Sequence, residues 1–405
     1  MAFPLDGVKV LDLTTVMAGP YCTMVLGDMG AEVIKVENFP EGDASRRFDP
    51  KVNDESYCYA VLNRNKKSLA LNMKEPRGKE IFMKLAAEAD IITENFRPGV
   101  VRRLGIDYEA VRKVNPKVIY ASMSGFGQTG PYGRKGGFDI VAQGVSGIMM
   151  MTGYPGGRPA KVGIAMNDIA SGVTALYGIL GAYIGRLRHG TGQYLETSLL
   201  EAGLAWSIWE FGAYFGGGEL PTATGTRHRR STPYQAYKTR DGYVTVGANN
   251  NKLWTNFCTI VCNKPEWMSD PRFQDLPSRL KNIDELEKEI EQVFATCPTA
   301  HWVEKLDEAQ VPGGPVYTYD QTMADPHVKA RRMVVDMEHP KIGPMKTLGL
   351  PIKSTGDLTA IRVAAPWLGQ HNTEILERIG YAANDVAAMY ADGVLYDKYR
   401  EKATA

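Results

Sequence analysis

The residue best placed by type and setting for covalent chemistry is Asp168, which ends the loop KVGIAMND and opens the stretch DIASGVTALYGILGAYIG. No further charge follows until Arg186. A carboxylate at a helix start has two uses. It can cap free backbone N–H groups, where the helix dipole also favours it. It can instead face a ligand as a nucleophile and carry an acyl group. The preceding segment is dense in glycine (Gly144, Gly147, Gly153, Gly156, Gly157, Gly163), and glycine lets backbone approach a bulky ligand closely. Asn167 and Ser171 would supplement a cap, and Asn167 would equally suit as a hydrogen-bond donor near the carboxylate.

Other chemistries find less support. Cys258 and Cys262 have the spacing of half a metal site, but no histidine or second cysteine pair follows at ligand spacing, so they read as core thiols. After VLDLT comes TVMAGPYC, with Gly19 alone where a dinucleotide fold needs several glycines. No glycine-rich loop ending in Lys-Ser or Lys-Thr appears either, which disfavours nicotinamide, flavin and nucleotide-hydrolysis chemistry. A net charge of +1 gives no overall attraction for nucleic acid or an anionic membrane, so local basic patches must carry any anion recognition. Five cysteines, an odd number, and an opening without a secretory signal point to a reduced, cytoplasmic protein.

At 405 residues the chain is long enough for two domains. GVKVLDLTTVMAGPYCTMVLGDMGAEVIKVEN reads as strand, loop, helix and strand, with Pro20 in the first helical turn. KSLALNM, PRGKEIFMKLAAEAD and IITENF supply strand, amphipathic helix and strand. A helix around DYEAVRKVNP then precedes the strand KVIYASMSGF. This alternation predicts an α/β fold with a mostly parallel, wound sheet. Ligands collect at the carboxyl ends of such strands, where Thr15, Asn95 and Gly125 fall. The apolar run 169–185 is short for a membrane span, and Gly172, Ala175, Gly178, Ala182 and Gly185 form one narrow stripe on it. It predicts a buried helix approached closely by another backbone.

Beyond Arg186, RHGTGQYLETSLLEAGLAWSIWEFGAYF predicts a turn, a strand and one long aromatic helix. GGGELPTATGTRHRRSTP is loop-like and marks a transition between domains. YQAYKTRDGYVTVGANN has hairpin character, residues 251–310 are mostly helical in pattern, and VPGGPVYT turns into a strand. From Pro351 onward, APWLGQHNTEILERIGYAANDVAAMYADGVL supplies a turn and two helices that return to the first domain.

Taken together and in order, AGPYCTMVLGDMGAEVIKVE, NRNKKSLALNM, ENFRPG, NPKVIYASMSGFGQTGPY, DIVAQGVSGIM, MNDIASG, GTGQYLETSLLEA, DGYVTVG and APWLGQHNTEIL resemble the family III coenzyme A transferases over nearly the whole chain. This CaiB/BaiF group includes formyl-, carnitine- and succinyl-CoA transferases and related acyl-CoA racemases. The resemblance implies a Rossmann-like large domain built from both chain ends, an inserted small α+β domain and an interlocked homodimer. On this sequence the large domain takes residues 1–200 and 340–405, the linker 201–230 and the small domain 231–339.

By the same resemblance, Asp168 is the catalytic residue. Its carboxylate attacks the donor thioester, giving an aspartyl anhydride and CoA thiolate. The thiolate attacks that anhydride, releases the donor acid and leaves an aspartyl-CoA thioester, and an acceptor carboxylate runs the sequence backwards. A carboxylate suits the exchange because its acyl form is an anhydride, reactive toward thiolate and carboxylate alike. Water competes, so the pocket must exclude it and offer donors to the developing oxyanion. The implied CoA contacts are Asn95, Phe96 and Arg97 of ENFRPG, with Arg103, Lys67, and Val16 and Ala18 of TVMAGP. Arginine suits the phosphates because its planar fork makes paired hydrogen bonds. CoA and acyl-CoA are implied as substrates alongside a small carboxylic acid, with no tightly bound cofactor, metal, nucleic acid or membrane.

Several positions depart from the family pattern. Asn38 and Phe39 follow KVE where relatives often carry arginine, which moves one phosphate contact to Arg46 or Arg47. Met17 and Thr15 stand where formyl-CoA transferases have glutamine and histidine, so the pocket is less polar and oxalate is disfavoured as acceptor. Gly247, Ala248 and Asn249 replace a glycine run found in some members, which disfavours a mobile polyglycine lid. The racemase branch places a histidine where this chain has Phe138, and phenylalanine cannot exchange a proton. Transfer is therefore favoured over racemisation, with a non-catalytic CoA-binding scaffold as the remaining alternative. Asp139 reads as a stabiliser of its loop. Trp206, Trp209 and Phe211 fit either an apolar acyl pocket or the dimer core. The cluster Arg227, His228, Arg229 and Arg230 fits either a second substrate carboxylate or an exposed linker.

Overall fold

The computed structural model describes residues 3–400. Contacts divide the chain into two units, one of Met1–Ile148, Lys161–Glu219 and Lys329–Ala405, the other of Met149–Ala160 and Leu220–Val328. In the first unit the strands are β1 (Lys9–Asp12), β2 (Glu32–Glu37), β3 (Lys66–Ala70), β4 (Ile91–Glu94), β5 (Ile119–Ser124) and β6 (Gln193–Ser198). They form one wholly parallel sheet in the order β3-β2-β1-β4-β5-β6. This is the doubly wound Rossmann order.

Alternate residues of the sheet feed two apolar layers, as expected when helices cover both faces. Leu11, Ile34, Ile92 and Tyr120 pack with Ile81, Phe82 and Leu85 and with Ile375, Leu376, Val386 and Met389 near the C-terminus. Val10, Val33, Ile91 and Ile119 pack instead with Cys22, Leu26, Ala175 and Ile179. The helices involved are α1 (Ala18–Asp28), α2 (Pro76–Glu88) and, after α3 (Asp139–Val145), the long α4 (Met166–His189). The C-terminal segment closes back on β3, where the Ala70 N–H donates to Asn372 Oδ1 at 2.9 Å.

The small-residue stripe of α4 is only partly used inside the chain. A Cβ on Gly172 would stand 2.5 Å from the Ala18 carbonyl oxygen, so α1 crosses α4 there in close contact. At Gly185 nothing beyond the helix's own neighbouring backbone lies within 4 Å of that position. Among the described residues, no helix is long and apolar enough to cross a membrane. The expected long aromatic helix is two helices, α5 (Leu199–Trp206) and α6 (Ile208–Gly217). They break at Ser207, whose hydroxyl donates to the Gly203 carbonyl at 2.9 Å, the back-bonding by which serine bends helices. The helix expected around DYEAVRKVNP shrinks to one turn, Tyr108–Val111.

In the second unit, β7 (Tyr234–Lys238), β8 (Tyr243–Gly247) and β9 (Gly313–Pro315) form an antiparallel sheet in the order β9-β8-β7. Its core gathers Tyr237, Val244, Val246, Trp254, Phe257, Phe294, Trp302 and Leu306, together with Cys258 and Cys262. All five cysteines are free thiols. The hairpin β10 (Val334–His339) and β11 (Gly343–Leu348) was not anticipated. The expected boundary between residues 339 and 340 falls at its turn, 340–342, whereas the hairpin lies whole in the first unit.

Candidate active site

Asp168 lies in the first turn of α4, yet another carboxylate caps that helix. Asp139, the first residue of α3, accepts from the N–H of Asn167 at 2.9 Å and of Asp168 at 3.4 Å. Gln143 holds it in place by donating from Nε2 to Asp139 Oδ2 at 2.7 Å, while Gln143 Oε1 accepts from the Val162 N–H at 2.8 Å. Because Asp139 satisfies the orphan amides, Asp168 is released from capping. Among the described residues its carboxylate has no hydrogen bond and no ion pair.

Burial, and next the negative charge of Asp139, push the Asp168 pKa up to about 6. At neutral pH the group is still mostly ionised, but it is poorly solvated and untethered, which favours nucleophilic attack. The donor role open to Asn167 is not realised toward Asp168. Its Nδ2 donates to the Leu199 carbonyl at 3.0 Å, and Gly203 is packed so closely that a Cβ there would lie 2.3 Å from that nitrogen. Asn167 thus joins α5 to α4.

The other cluster stands at the topological switch point. The chain runs from β1 outward to β3, then returns to lay β4 on the opposite side of β1. The carboxyl ends of β1 and β4 therefore flank the crevice where such folds bind ligands. Thr15, Asn95 and, beyond β5, Gly125 follow these strand ends. Asn95 is locked to the backbone of Thr15, accepting its N–H at 2.9 Å and donating to its carbonyl at 2.8 Å. Thr14 donates its N–H to Asp12 Oδ1 at 2.9 Å, and its carbonyl accepts from Lys35 Nζ at 2.6 Å. The Val16 N–H donates to Asp43 Oδ1 at 3.0 Å.

Val16 itself has φ 71°, left-handed backbone that a β-branched residue adopts only under constraint. Ala18, buried, then opens α1, whose N-terminus has no side-chain cap. Beneath the loop lies a buried ionic network that no sequence motif announced. Lys66 pairs with Asp12 and Lys35 with Asp43, each at 2.9 Å. Burial pulls Lys66 down to about 8, while Lys35 is raised because the carboxylates of Asp43 and Asp12 outweigh its burial.

ENFRPG continues this edge. The Phe96 N–H donates to Glu94 Oε2 at 2.9 Å, and the Ser122 hydroxyl donates to the other oxygen of Glu94. Burial pushes Glu94 up to about 7. Arg97 and Arg103 are exposed, and among the described residues neither has an ion pair. Both follow β4 within a short span, so the structure brings Val16, Ala18, Asn95, Phe96, Arg97 and Arg103 to one end of the sheet.

Lys67 does not join them. It lies at the amino end of β3, the opposite edge, and its ammonium is taken by Glu32 at 3.0 Å and Glu374 at 2.5 Å. Arg46 is likewise unsuited to a phosphate. Its guanidinium is buried against Glu37 (2.8 and 2.7 Å) and the Tyr59 hydroxyl (2.6 Å). Arg47 beside it is exposed and has no ion pair among the described residues.

In the second unit Arg227 is paired with Asp284 at 2.8 Å and with Glu287, so it is committed within the fold. Gly247 and Asn249 line a cleft of about 660 Å³ with Tyr234, Pro312 and Gly314. The amides of Gly247 and Ala248 are already spent on the carbonyls of Pro312 and Pro233. Phe138, next to the capping Asp139, is 72% exposed.

A free, partly desolvated carboxylate and a pinned loop at a switch point suit acyl chemistry on a large ligand, and the relatives say which. A model of CoA-transferase family III matches residues 5–372. The chain belongs to that family. Human succinyl-CoA:glutarate CoA-transferase is 39% identical, covering 93% of this chain and 86% of the human protein. Acetyl-CoA:oxalate CoA-transferase of Acetobacter aceti is 36% identical, covering 92% of this chain and 95% of its own. A crystal structure of a CAIB/BAIF family protein from Brucella suis matches with a TM-score of 0.85 and 32% identity, over 94% of this chain and 100% of that one. As a CoA-transferase, the enzyme shares with that neighbour a mixed α/β architecture and its parallel sheet.

Proposed function

We propose that this enzyme moves coenzyme A reversibly from an acyl-CoA donor to a free carboxylic acid through anhydride and thioester intermediates on Asp168. The observation that carries the reading is the freedom of the Asp168 carboxylate at a helix start already capped by Asp139. Desolvation raises its basicity, and the absence of a hydrogen-bond partner among the described residues leaves both oxygens open for attack. CoA is taken to lie along the switch-point edge, against Val16, Ala18, Asn95 and Phe96, with Arg97, Arg103 and Arg47 supplying charge to its phosphates.

Relatives are named for succinyl-CoA with glutarate, mesaconate or D-citramalate. On that basis the substrates proposed here are small dicarboxylic acids and their CoA thioesters. The enzyme is further proposed to work as an interlocked homodimer. In support, α6 has no buried residue, and Ile208, Trp209 and Phe215 on it are 76%, 72% and 78% exposed, more apolar surface than one subunit leaves to water without a partner. Phe138 offers no proton-exchanging group, which weighs against racemisation.

The test is covalent trapping. Purified enzyme is incubated with succinyl-CoA without acceptor, quenched and digested. An adduct on the peptide containing Asp168, lost in Asp168→Ala, is expected. Exchange of acid without any such adduct would overturn the mechanism, and α-proton exchange without acid exchange would turn the reading to racemisation.

A further inference from the structure

The loop 14–16 is held with unusual completeness. Both backbone polar groups of Thr14, both of Thr15 and the N–H of Val16 are each bonded to a side chain from elsewhere in the chain or, for Asp12, from the adjoining strand. Ordinary strand-to-helix turns need no such bracing. This one does, because Val16 at φ 71° places a branched side chain where L-residues are crowded. Relaxation of that residue would swing Met17 and the start of α1 away from the crevice beside β4. Something must hold it.

The group on Val16 itself is Asp43. It is fully buried and makes five polar contacts at once. Oδ1 accepts from the Val16 N–H at 3.0 Å, from the Ser45 N–H at 2.9 Å and from the Ser45 hydroxyl at 2.8 Å. Oδ2 pairs with Lys35 at 2.9 Å. Its own N–H donates to Glu37 Oε2 at 3.0 Å, which fixes the residue to β2. Lys35 in turn holds the Thr14 carbonyl, so the pair grips the loop from both ends.

We propose, on the reading that residues 15–18 face CoA, that Asp43 is a positioning residue that latches Val16 in its left-handed conformation and so preforms the CoA crevice before ligand arrives. Ligand affinity then depends on a residue that never touches CoA. A preformed crevice binds more tightly because the ordering cost is not taken from the binding step.

The test combines Asp43→Ala, Asp43→Asn and Val16→Gly. For Asp43→Ala, loss of the charged hydrogen bond is expected to raise the CoA dissociation constant and the acyl-CoA KM about tenfold, with kcat within about twofold. Amide exchange of the peptide spanning 14–18 should quicken in the ligand-free variant. Glycine holds a positive φ unaided, so Val16→Gly placed in Asp43→Ala should recover part of the affinity. Asp43→Ala lowers the melting temperature under either role, because it strands the buried Lys35 ammonium, so the rescue is the deciding readout: a merely structural role would leave it absent. Asp43→Asn keeps an acceptor toward Val16 and is the variant safest to fold. It should retain CoA affinity within about threefold, and a tenfold loss there overturns the hydrogen-bond latch. Unchanged CoA affinity in folded Asp43→Ala also overturns it. Failure of the underlying reading is distinguishable in the unmodified enzyme: CoA would then give no exchange protection to residues 14–18.

Discussion

Replacing the Asp168 carboxyl by the isosteric amide, Asp168→Asn, tests the active-site electrostatics through stability as well as rate. In the folded enzyme the acid titrates near 6 rather than 3.8, because it is partly desolvated and faces Asp139. About two pKa units correspond to at most about 3 kcal/mol, and solvent contact on a partly buried group reduces this to about 1–3 kcal/mol. The sign follows from linkage. A group whose folded pKa is raised adds its full stability below its unfolded value and loses it as pH rises through the folded value. The wild type should therefore lose more stability than Asp168→Asn between about pH 4 and pH 7, the other titrating groups being common to both. Urea unfolding midpoints at half-unit steps from pH 5 to pH 8 provide the assay. The variant's advantage is expected to widen by roughly 1 kcal/mol across that range, then level off, while acyl exchange disappears. Parallel pH curves for the two proteins would refute the claim that Asp168 is desolvated and free. In the wild type, kcat/KM should fall on the acid side with an apparent pKa near 6, the value burial and Asp139 impose.

Asp139→Asn keeps the cap but removes the facing charge, so the acid limb of kcat/KM should move to lower pH; an unmoved limb would mean that Asp139 acts on shape alone. Arg97→Ala should weaken CoA binding by about tenfold, in line with losing one charge-assisted phosphate contact, and leave the free acid's affinity unchanged, as calorimetry with each ligand would report. Arg46→Met should cost about 3–5 kcal/mol of stability by stranding the buried Glu37, whereas Arg47→Ala should alter CoA affinity and leave the melting temperature in place. For Glu94→Gln, neutralising a buried acid that titrates near 7 should flatten the loss of stability the wild type suffers as pH rises through 7, visible in unfolding midpoints at pH 6 and pH 8.

The alternating strands and helices were legible because each carries its own period, and the parallel sheet followed from that alternation. Thr15, Asn95 and Gly125 could be placed at strand ends for the same reason. What the sequence could not carry was partner choice among charged residues. Arg46 and Arg47 are adjacent and chemically identical, yet one is buried on Glu37 and the other exposed. Lys67 sits beside Lys66 in the pattern, but successive side chains of a strand point to opposite faces, so Lys66 reaches Asp12 while Lys67 is taken by Glu32 and Glu374. The β10–β11 hairpin was missed because VVDMEH and GPMKTL are short and their turn lies on the expected boundary at residues 339–340.

The same limit explains why Asp139 was undervalued. It opens the block DIVAQGVSGIM, which says nothing of what its carboxylate contacts, and its worth appears only when α3 lies beside the start of α4 and supplies the cap that Asp168 would otherwise provide. Two carboxylates at one helix start divide two tasks that conflict. A capping carboxylate is hydrogen-bonded, stabilised as an anion and therefore a poorer nucleophile, while an unbonded one leaves the helix amides without that partner but keeps its lone pairs. Assigning the cap to Asp139 lets the helix form without blunting Asp168, and the negative charge of the cap raises the basicity of its neighbour further. Reactivity at this site is thus a property of the pair, and it vanishes from any account that treats either aspartate alone.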